Sequence, residues 1–500
     1  MANKKLAILF FLSVLLAFFA GYFSSSIIEN QSSVYSSDMF TAITDAFEEY
    51  YYYDIDDAEV NRAFIASLEA IINQYAKDNN DPYTKLQAIP LSITPSDAEM
   101  FEGLGITFYF NEDNELVIYD VMIESSVFGL IYPNDVIIGM MIDDEALMFS
   151  DLLQDEVTTY FSGVANEVKT LIVEDPDGSQ SLVEATYRQI ATPTAYSLDL
   201  DHEDIAYIKI TEFSAYERNV TIGTSQAFSS LLVGLEQSIL TDDSKTLIID
   251  LRDNPGGALT ALNNPESNQP AGITQQLLVN NPENPIFSMT DNSGEVTDFF
   301  GRLAAPKTYD IRILVNEHSA SAAEVLAASL MEAGYALYGA ETYGKGVYQN
   351  TIFLQNILDV AYYLTYTEGT WQYGDQMNVM DTPLIVNPIA QLGMYAIDMP
   401  VYMGELQRDD VSLELSLYQQ FLNTYFQYED EDLIRTDGYF DVATEVAISL
   451  FQQDMSLDVT GHLDLATSRA IYDYYKAQVS NVDLDTQLQT LIQLIEGSSW

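Results

Sequence analysis

Cysteine does not occur anywhere in the 500 residues. Disulfides, zinc–thiolate sites, a cysteine nucleophile and a lipid-bearing N-terminal cysteine are excluded with it. Positive charge is also scarce: 19 Lys and Arg stand against 76 Asp and Glu, a formal net charge of −57. Nucleic-acid binding needs cations that displace counterions from phosphates, and docking on anionic headgroups needs them too. Both partner classes are set aside. The acidity reads as a strongly hydrated surface rather than a site for a cationic ligand. Histidine is limited to His202, His318 and His462, and no two are spaced as metal ligands. Neither a metal nor a cofactor is expected. What remains is a globular composition, 48% hydrophobic, too apolar for a disordered chain and long enough for about three or four domains.

Lys4 and Lys5 precede an apolar run, Leu6 to Phe23, broken only by Ser13 and Gly21. Such a run spans about 27 Å as a helix, enough for a bilayer core. The lysines stay inside, which puts everything after Ser24 outside the cytoplasm. An uncleaved single-pass anchor over 1–24 is favoured over a cleaved signal peptide, because the run is long for a signal core and no small-x-small site precedes Ser24. Cleavage would make the protein secreted.

The rest reads as a multidomain chain of α/β and α+β parts. A helical segment covers 37–95: Phe40, Ile43, Phe47 and Tyr50, then Val60, Phe64, Leu68 and Ile71, recur at helical steps. Residues 96–190 are β-rich, with strands at 105–110, 115–120, 136–141 and 168–173 and one helix near 149–161; turns fall at 111–114, 133–135 and 175–178. From 191 to 400 short apolar strands (206–210, 246–251, 311–315 and 347–354) alternate with helices (224–238 and 321–333), which predicts a partly parallel sheet. Residues 410–478 form a small three-helix module, in which Gly438-Tyr439-Phe440-Asp441-Val442-Ala443-Thr444 is echoed by Gly461-His462-Leu463-Asp464-Leu465-Ala466-Thr467. Each copy gives a glycine turn, an apolar plug and an Asp cap. A tail covers 479–500.

Three segments carry chemistry. Strand 311–315 runs into Ser319-Ala320-Ser321-Ala322-Ala323-Glu324. Ser321 with Glu324 is a capping box, and a serine there is ordinarily only a cap. The same geometry suits a nucleophile, since an oxyanion beside Ser321 would face the Ala322 amide and the positive end of the helix. A serine needs a base. His318 lies on the strand-to-helix turn and is expected to point elsewhere. Lysine serves if burial lowers its pKa, and Gly344-Lys345-Gly346-Val347-Tyr348-Gln349 offers one. On a strand, Lys345, Val347 and Gln349 share a face, so Gln349 could hold the amine. Read alone, this segment is more simply a glycine turn with an exposed lysine. In Asp250-Leu251-Arg252-Asp253-Asn254-Pro255-Gly256-Gly257 a buried strand meets a turn whose glycines let backbone amides approach a ligand. It lacks the dinucleotide and phosphate-loop patterns.

In this order the three segments resemble the C-terminal processing peptidases, or tail-specific proteases: D-L-R-x-N-x-G-G, S-A-S-A-S-E and G-K-G-x-x-Q are that family's runs. The resemblance implies that Ser321 is the nucleophile, Lys345 the general base and Gln349 its positioning residue, with Gly256 or Gly257 and Ala322 as oxyanion donors. It extends from about 37 to 475. Asp81-Pro82-Tyr83-Thr84 is similar to the family's D-P-Y-S/T junction. Gly103-Leu104-Gly105-Ile106 and Pro133-Asn134-Asp135 resemble the carboxylate-binding loop and P-G-D turn of a PDZ domain, which makes 96–190 a PDZ-like domain and 191–400 the serine peptidase core. Residues 410–478 resemble a peptidoglycan-binding domain, although Asp441 and Val442 replace the Gly-Pro of its signature. Asn263–Gly272 resembles an insertion. The implied activity is endopeptidase cleavage of protein substrates near exposed C-termini through an acyl-enzyme. The alternative is a catalytically inactive scaffold that binds peptides and cell wall. A penicillin-binding-type enzyme would need S-x-x-K, and position 324 is Glu.

Overall fold

The computed structural model describes residues 57–90, 100–216, 222–264, 270–357 and 360–498. The membrane segment expected over 1–24, and the start of the helix expected from 37, lie outside the described residues. Among the described residues no helix is long and apolar enough to cross a membrane. The chain divides into two compact units, the smaller made of residues up to 95, 289–297 and 346–372.

In the smaller unit the helix Asp57–Asp78 leads to strand Lys85–Pro90. That strand pairs antiparallel with Val360–Gln372, which forms a long hairpin with Val347–Ile357. Asp81 locks the junction expected at 81–84. Its carboxylate accepts the Tyr83 and Thr84 N–H groups at 3.0 and 3.3 Å and the Thr84 and Thr367 hydroxyls at 2.5 and 2.9 Å. Burial pushes this carboxyl up, but those hydrogen bonds outweigh it and hold it below the usual range.

In the larger unit, residues 195–388 contribute a six-stranded sheet. Ala195–Ser197 runs antiparallel to Ile205–Ile210; Thr246–Asp250, Asp310–Val315, Ala336–Gly339 and Val386–Pro388 follow in parallel. The three central strands are nearly continuous runs of buried aliphatic residues, as a sheet covered on both faces requires. The strand expected at 347–354 is not part of this sheet. It belongs to the long hairpin of the smaller unit, where Asn350 to Asn356 are exposed and no second covered face demands an apolar run.

Residues 100–191 form the β-rich domain. Strands Ile106–Phe110, Leu116–Val121, Val136–Ile142, Val168–Glu174 and Gln180–Thr186 follow in antiparallel order, with helix Gln154–Phe161 and a two-stranded ribbon of Met100–Gly103 with Arg188–Ala191. The core is Leu116, Ile118, Ile137, Phe149, Leu171 and their neighbours. Asn134 takes the left-handed conformation, φ 70°, that a glycine would otherwise supply at its turn.

The C-terminal module has helices Leu415–Phe426, Val442–Asp454 and Leu465–Val479 around Phe421, Phe440, Phe451 and Ile471. Its repeat is real in three dimensions. Asp441 and Asp464 cap their helices by accepting the N–H groups of Thr444 and Thr467, at 2.9 and 2.8 Å. Two buried glutamines complete it: Gln419 accepts the Gly438 N–H and donates to Tyr439 O and Thr444, while Gln452 accepts the Gly461 N–H and donates to His462 O and Thr467.

The helix Leu465–Val479 also docks on the β-rich domain. Arg469 Nη2 bridges Asp135 and Asp175, each at 2.8 Å, and Tyr472 and Lys476 both donate to Asp120 at 3.0 Å. The segment set apart in sequence as a tail continues into helix Thr486–Ser498, whose Leu488 and Leu491 are fully buried against Ile205, Tyr207, Ile248, Leu314 and Ile389 of the parallel sheet.

Burial raises Asp135 to about pH 6, despite the Arg469 guanidinium and the Tyr132 N–H. A carboxyl raised in the folded state binds its proton more tightly there than when unfolded. Its contribution to stability is therefore present below the unfolded value and is lost as pH rises through about 6. Urea unfolding of Asp135→Asn from pH 4 to 7 should lose this part of the decline seen in the parent; parallel curves would refute the assignment.

Candidate functional site

The turn that carries Ser321 is built from the end of strand Asp310–Val315. The buried Ser319 donates its hydroxyl to Leu251 O at 2.8 Å and accepts the Asn316 N–H at 2.9 Å. Ala320 donates to Asn254 O at 2.9 Å. The chain then turns sharply: Ser321 has φ 55° and ψ −117°, a conformation that costs an L-residue of this kind about 1–3 kcal/mol and recurs at active sites. Helix Ala322–Glu332 follows, buried from Ala322 to Leu330.

The glycine turn abuts it. Asn254 is fully buried; its side chain donates to Ile210 O at 2.9 Å and accepts the Gly256 N–H at 2.8 Å. A Cβ on Gly256 would lie 2.8 Å from Ser321 Cβ and 2.9 Å from Ala322 N, and one on Gly257 would lie 2.2 Å from Phe213 O. Both have positive φ, 102° and 132°, so neither tolerates another residue. Of this pair, Gly256 already gives its N–H to Asn254. The N–H groups of Gly257 and Ala322 have no hydrogen-bond partner among the described residues.

The lysine segment is fastened to the nucleophile turn by Glu324. This side chain is fully buried. Its Oε2 accepts the N–H groups of Ser321 and Lys345 at 2.9 and 2.8 Å. Its Oε1 accepts the Gly344 N–H at 2.7 Å and the Thr342 hydroxyl at 2.8 Å. The backbones of Ser321 and Lys345 thus converge on one oxygen. Sequence reasoning identified Glu324 only as a helix-capping residue and missed Thr342. The available signal was an acidic residue inside a run of small apolar ones, Ala322 to Ala328.

Gln349 lies in the smaller unit. It donates to Thr367 at 3.4 Å, and Thr367 donates on to Asp81. His318 is exposed, and its Nδ1 faces Asp253 Oδ1 at 3.1 Å. It therefore faces the Asp253 carboxylate.

The loop Gly103–Ile106 borders a groove of about 210 Å³ between strand Ile106–Phe110 and helix Gln154–Phe161. Phe108, Phe110, Leu116, Phe161 and Tyr187 line it, and Glu102 is its one charged residue. Gly105 has φ 69°. The N–H groups of Leu104 and Gly105 have no partner among the described residues, a backbone arrangement that accepts an anion. Strand Ile106–Phe110 is the edge of its sheet.

Comparison with known proteins finds two family matches in the chain. Residues 204–376 match the model of "Peptidase family S41", and residues 412–471 match that of a "Putative peptidoglycan binding domain". The chain is thus similar to carboxy-terminal processing proteases and carries an S41 match over its parallel sheet. It is 25% identical over 437 residues to the carboxy-terminal processing protease CtpB of Bacillus subtilis, covering 85% of this chain and 83% of that one. To a "Probable CtpA-like serine protease" of Staphylococcus aureus it is 25% identical over 429 residues, 80% of this chain and 75% of the relative. Similar solved structures include a photosystem II D1 C-terminal processing protease (16% identity, 70% of this chain and 86% of that one, TM-score 0.34). Another is the peptide-bound PDZ domain of a Vibrio cholerae carboxy-terminal protease (19% identity, 18% and 97%, TM-score 0.17). The matched S41 stretch contains Gly256, Gly257, Ser321, Ala322, Glu324, Lys345 and Gln349.

Glu324→Gln keeps the volume but turns one acceptor oxygen into a donor facing N–H groups. It should cost roughly 2–4 kcal/mol of unfolding free energy in urea. An unchanged midpoint would mean that this carboxylate does not hold the serine turn and the lysine segment together.

Proposed function

We propose that this chain is a serine endopeptidase working outside the cytoplasm, with Ser321 as nucleophile and Lys345 as general base. The observation that carries the reading is the convergence of both backbones on the buried Glu324, beside two unengaged N–H groups. Lys345, neutral, takes the Ser321 proton as Oγ attacks the scissile carbonyl. The oxyanion is accepted by the Gly257 and Ala322 N–H groups, each worth roughly 10²–10³ in rate. The proton passes to the leaving amine, and water, deprotonated by Lys345, releases the acyl group. The family resemblance gives Gln349 the role of orienting the lysine; within its own unit it is held through Thr367.

The Gly103–Ile106 loop and its edge strand support recognition of substrate C-termini by strand addition, the terminal carboxylate on the Leu104 and Gly105 amides. The aromatic lining favours a large apolar last residue, and the acidic surface disfavours acidic tails. The N-terminal apolar run would anchor the enzyme with its catalytic part outside. The C-terminal module would bring it to peptidoglycan. An inactive scaffold is the weaker alternative, since nothing but catalysis needs a strained serine beside these amides.

Cleavage of an unfolded model protein should be lost, by at least about 10³-fold, in both Ser321→Ala and Lys345→Ala. Residual cleavage in Lys345→Ala would assign the wrong base. Wild-type activity should rise with pH as the lysine deprotonates, and a flat profile from pH 6 to 9 would count against it. Amidating a peptide substrate's C-terminus should raise KM by about tenfold and leave kcat in place; an unchanged KM would remove the groove from substrate recognition.

A further inference from the structure

We propose that Asp485 and Gln487, at the start of the last helix, are positioning residues for the oxyanion turn. The peptidase site is then completed by a segment outside both matched family models, which end at 376 and 471. The inference rests on the peptidase reading above.

Arg252 stands four residues before Gly256 in the glycine-turn segment. Its guanidinium is nearly enclosed, 7% exposed, and every nitrogen is engaged. Nε and Nη2 meet Asp250 at 3.0–3.1 and 2.5 Å. Nη1 and Nη2 meet Asp485 at 3.0 and 2.6 Å, and Nη1 meets Gln487 Oε1 at 3.1 Å. Asp250 also takes the Tyr207 hydroxyl at 2.8 Å and the Lys209 ammonium at 3.4 Å, while Lys209 donates to Arg252 O at 2.7 Å. Two cations and two carboxylates are thus buried together, and Asp485 is the member that makes the sum zero.

Asp485 is itself fixed. Its carboxylate caps the last helix by accepting the Leu488 N–H at 3.2 Å and takes the Gln391 amide at 3.1 Å. Gln487 donates to Ile389 O at 2.7 Å. Leu488 and Leu491 seat the helix on the parallel sheet. On the other side, Leu251 and Asn254, which flank Arg252, supply the carbonyls that receive Ser319 Oγ and the Ala320 N–H of the nucleophile turn. A shift of Arg252 would therefore be felt at both the Gly257 amide and Ser321. Misplacement of about 1 Å costs on the order of 10²-fold in rate.

The test is kinetics of the full chain on a fluorogenic unfolded substrate, with Ser321→Ala alongside. Asp485→Asn should lower kcat by about 10²-fold with KM within twofold, while binding of a C-terminal peptide to the Gly103–Ile106 groove is unchanged. Asp485→Glu should recover at least tenfold of that loss. Should Asp485→Asn not fold, Gln487→Met removes one contact to Arg252 and should lower kcat by about three- to tenfold below the unfolding temperature. Wild-type kcat in a folded Asp485→Asn, or a lowered melting temperature with unchanged kcat in Gln487→Met, would overturn the inference alone. Absence of Ser321-dependent cleavage in the wild type would overturn the peptidase reading and this inference with it.

Discussion

A single buried carboxylate, Glu324, fixes the relation between the serine turn and the lysine segment. Burying an ionised carboxylate is costly unless donors replace its lost water. Here three backbone N–H groups and one hydroxyl do so, and the helix N-terminus above it favours negative charge. The constraint works in both directions. The carboxylate is tolerable only if both segments are in place, and the segments are held only if its two oxygens lie between them. The strained backbone of Ser321 follows from the same arrangement, because its N–H is aimed at Glu324 while its neighbours are pinned to Leu251 and Asn254.

A second buried charge centre, Asp250–Arg252, stands at the start of the glycine-turn segment. Coulombic and hydrogen-bonding contact with Lys209 and Arg252 outweighs burial and holds the Asp250 carboxyl well below its usual range. Asn254, Gly256 and Gly257 follow it in the chain. The glycine turn is thus a loop without regular structure, held at one end by the Asp250–Arg252 charges and at the other by the Asn254 side chain and the Phe213 backbone. Loops usually carry function because rigid elements position them; in this protein buried polar groups on strand ends and helix starts do that positioning.

Much of this was readable in the sequence because it is local. The Asp caps at 441 and 464, the left-handed Asn134, the glycines of the oxyanion turn and the alternation of the β-rich domain each depend on residues within a turn or strand of one another. What escaped is non-local. Glu324 looked like a capping residue because its further partners lie 18 to 21 positions downstream. Arg252 and Asp485 are 233 positions apart. Gln419 and Gln452 read as ordinary polar residues on helices, since nothing in their neighbourhood announces burial. Strand 347–354 was given to the wrong sheet because apolar content cannot tell a covered parallel strand from one arm of an exposed hairpin. The last helix looked like a tail for want of the sheet it covers.

The acidity takes on a definite meaning once the cations are located. Lys209, Arg252, Arg469 and Lys476, with side chains 15%, 8%, 21% and 17% exposed, all sit at junctions between segments. The contact between the C-terminal module and the β-rich domain brings Asp120, Asp135, Asp175 and Asp473 close together, and Arg469 and Lys476 are the cations there to oppose their repulsion. Exposed carboxylates repel one another in a way that salt screens over about 10 Å, whereas partly buried pairs are screened much less. The carboxylates at this junction are themselves largely enclosed, Asp135 fully, so their repulsion is screened little and is opposed by the Arg469 and Lys476 contacts.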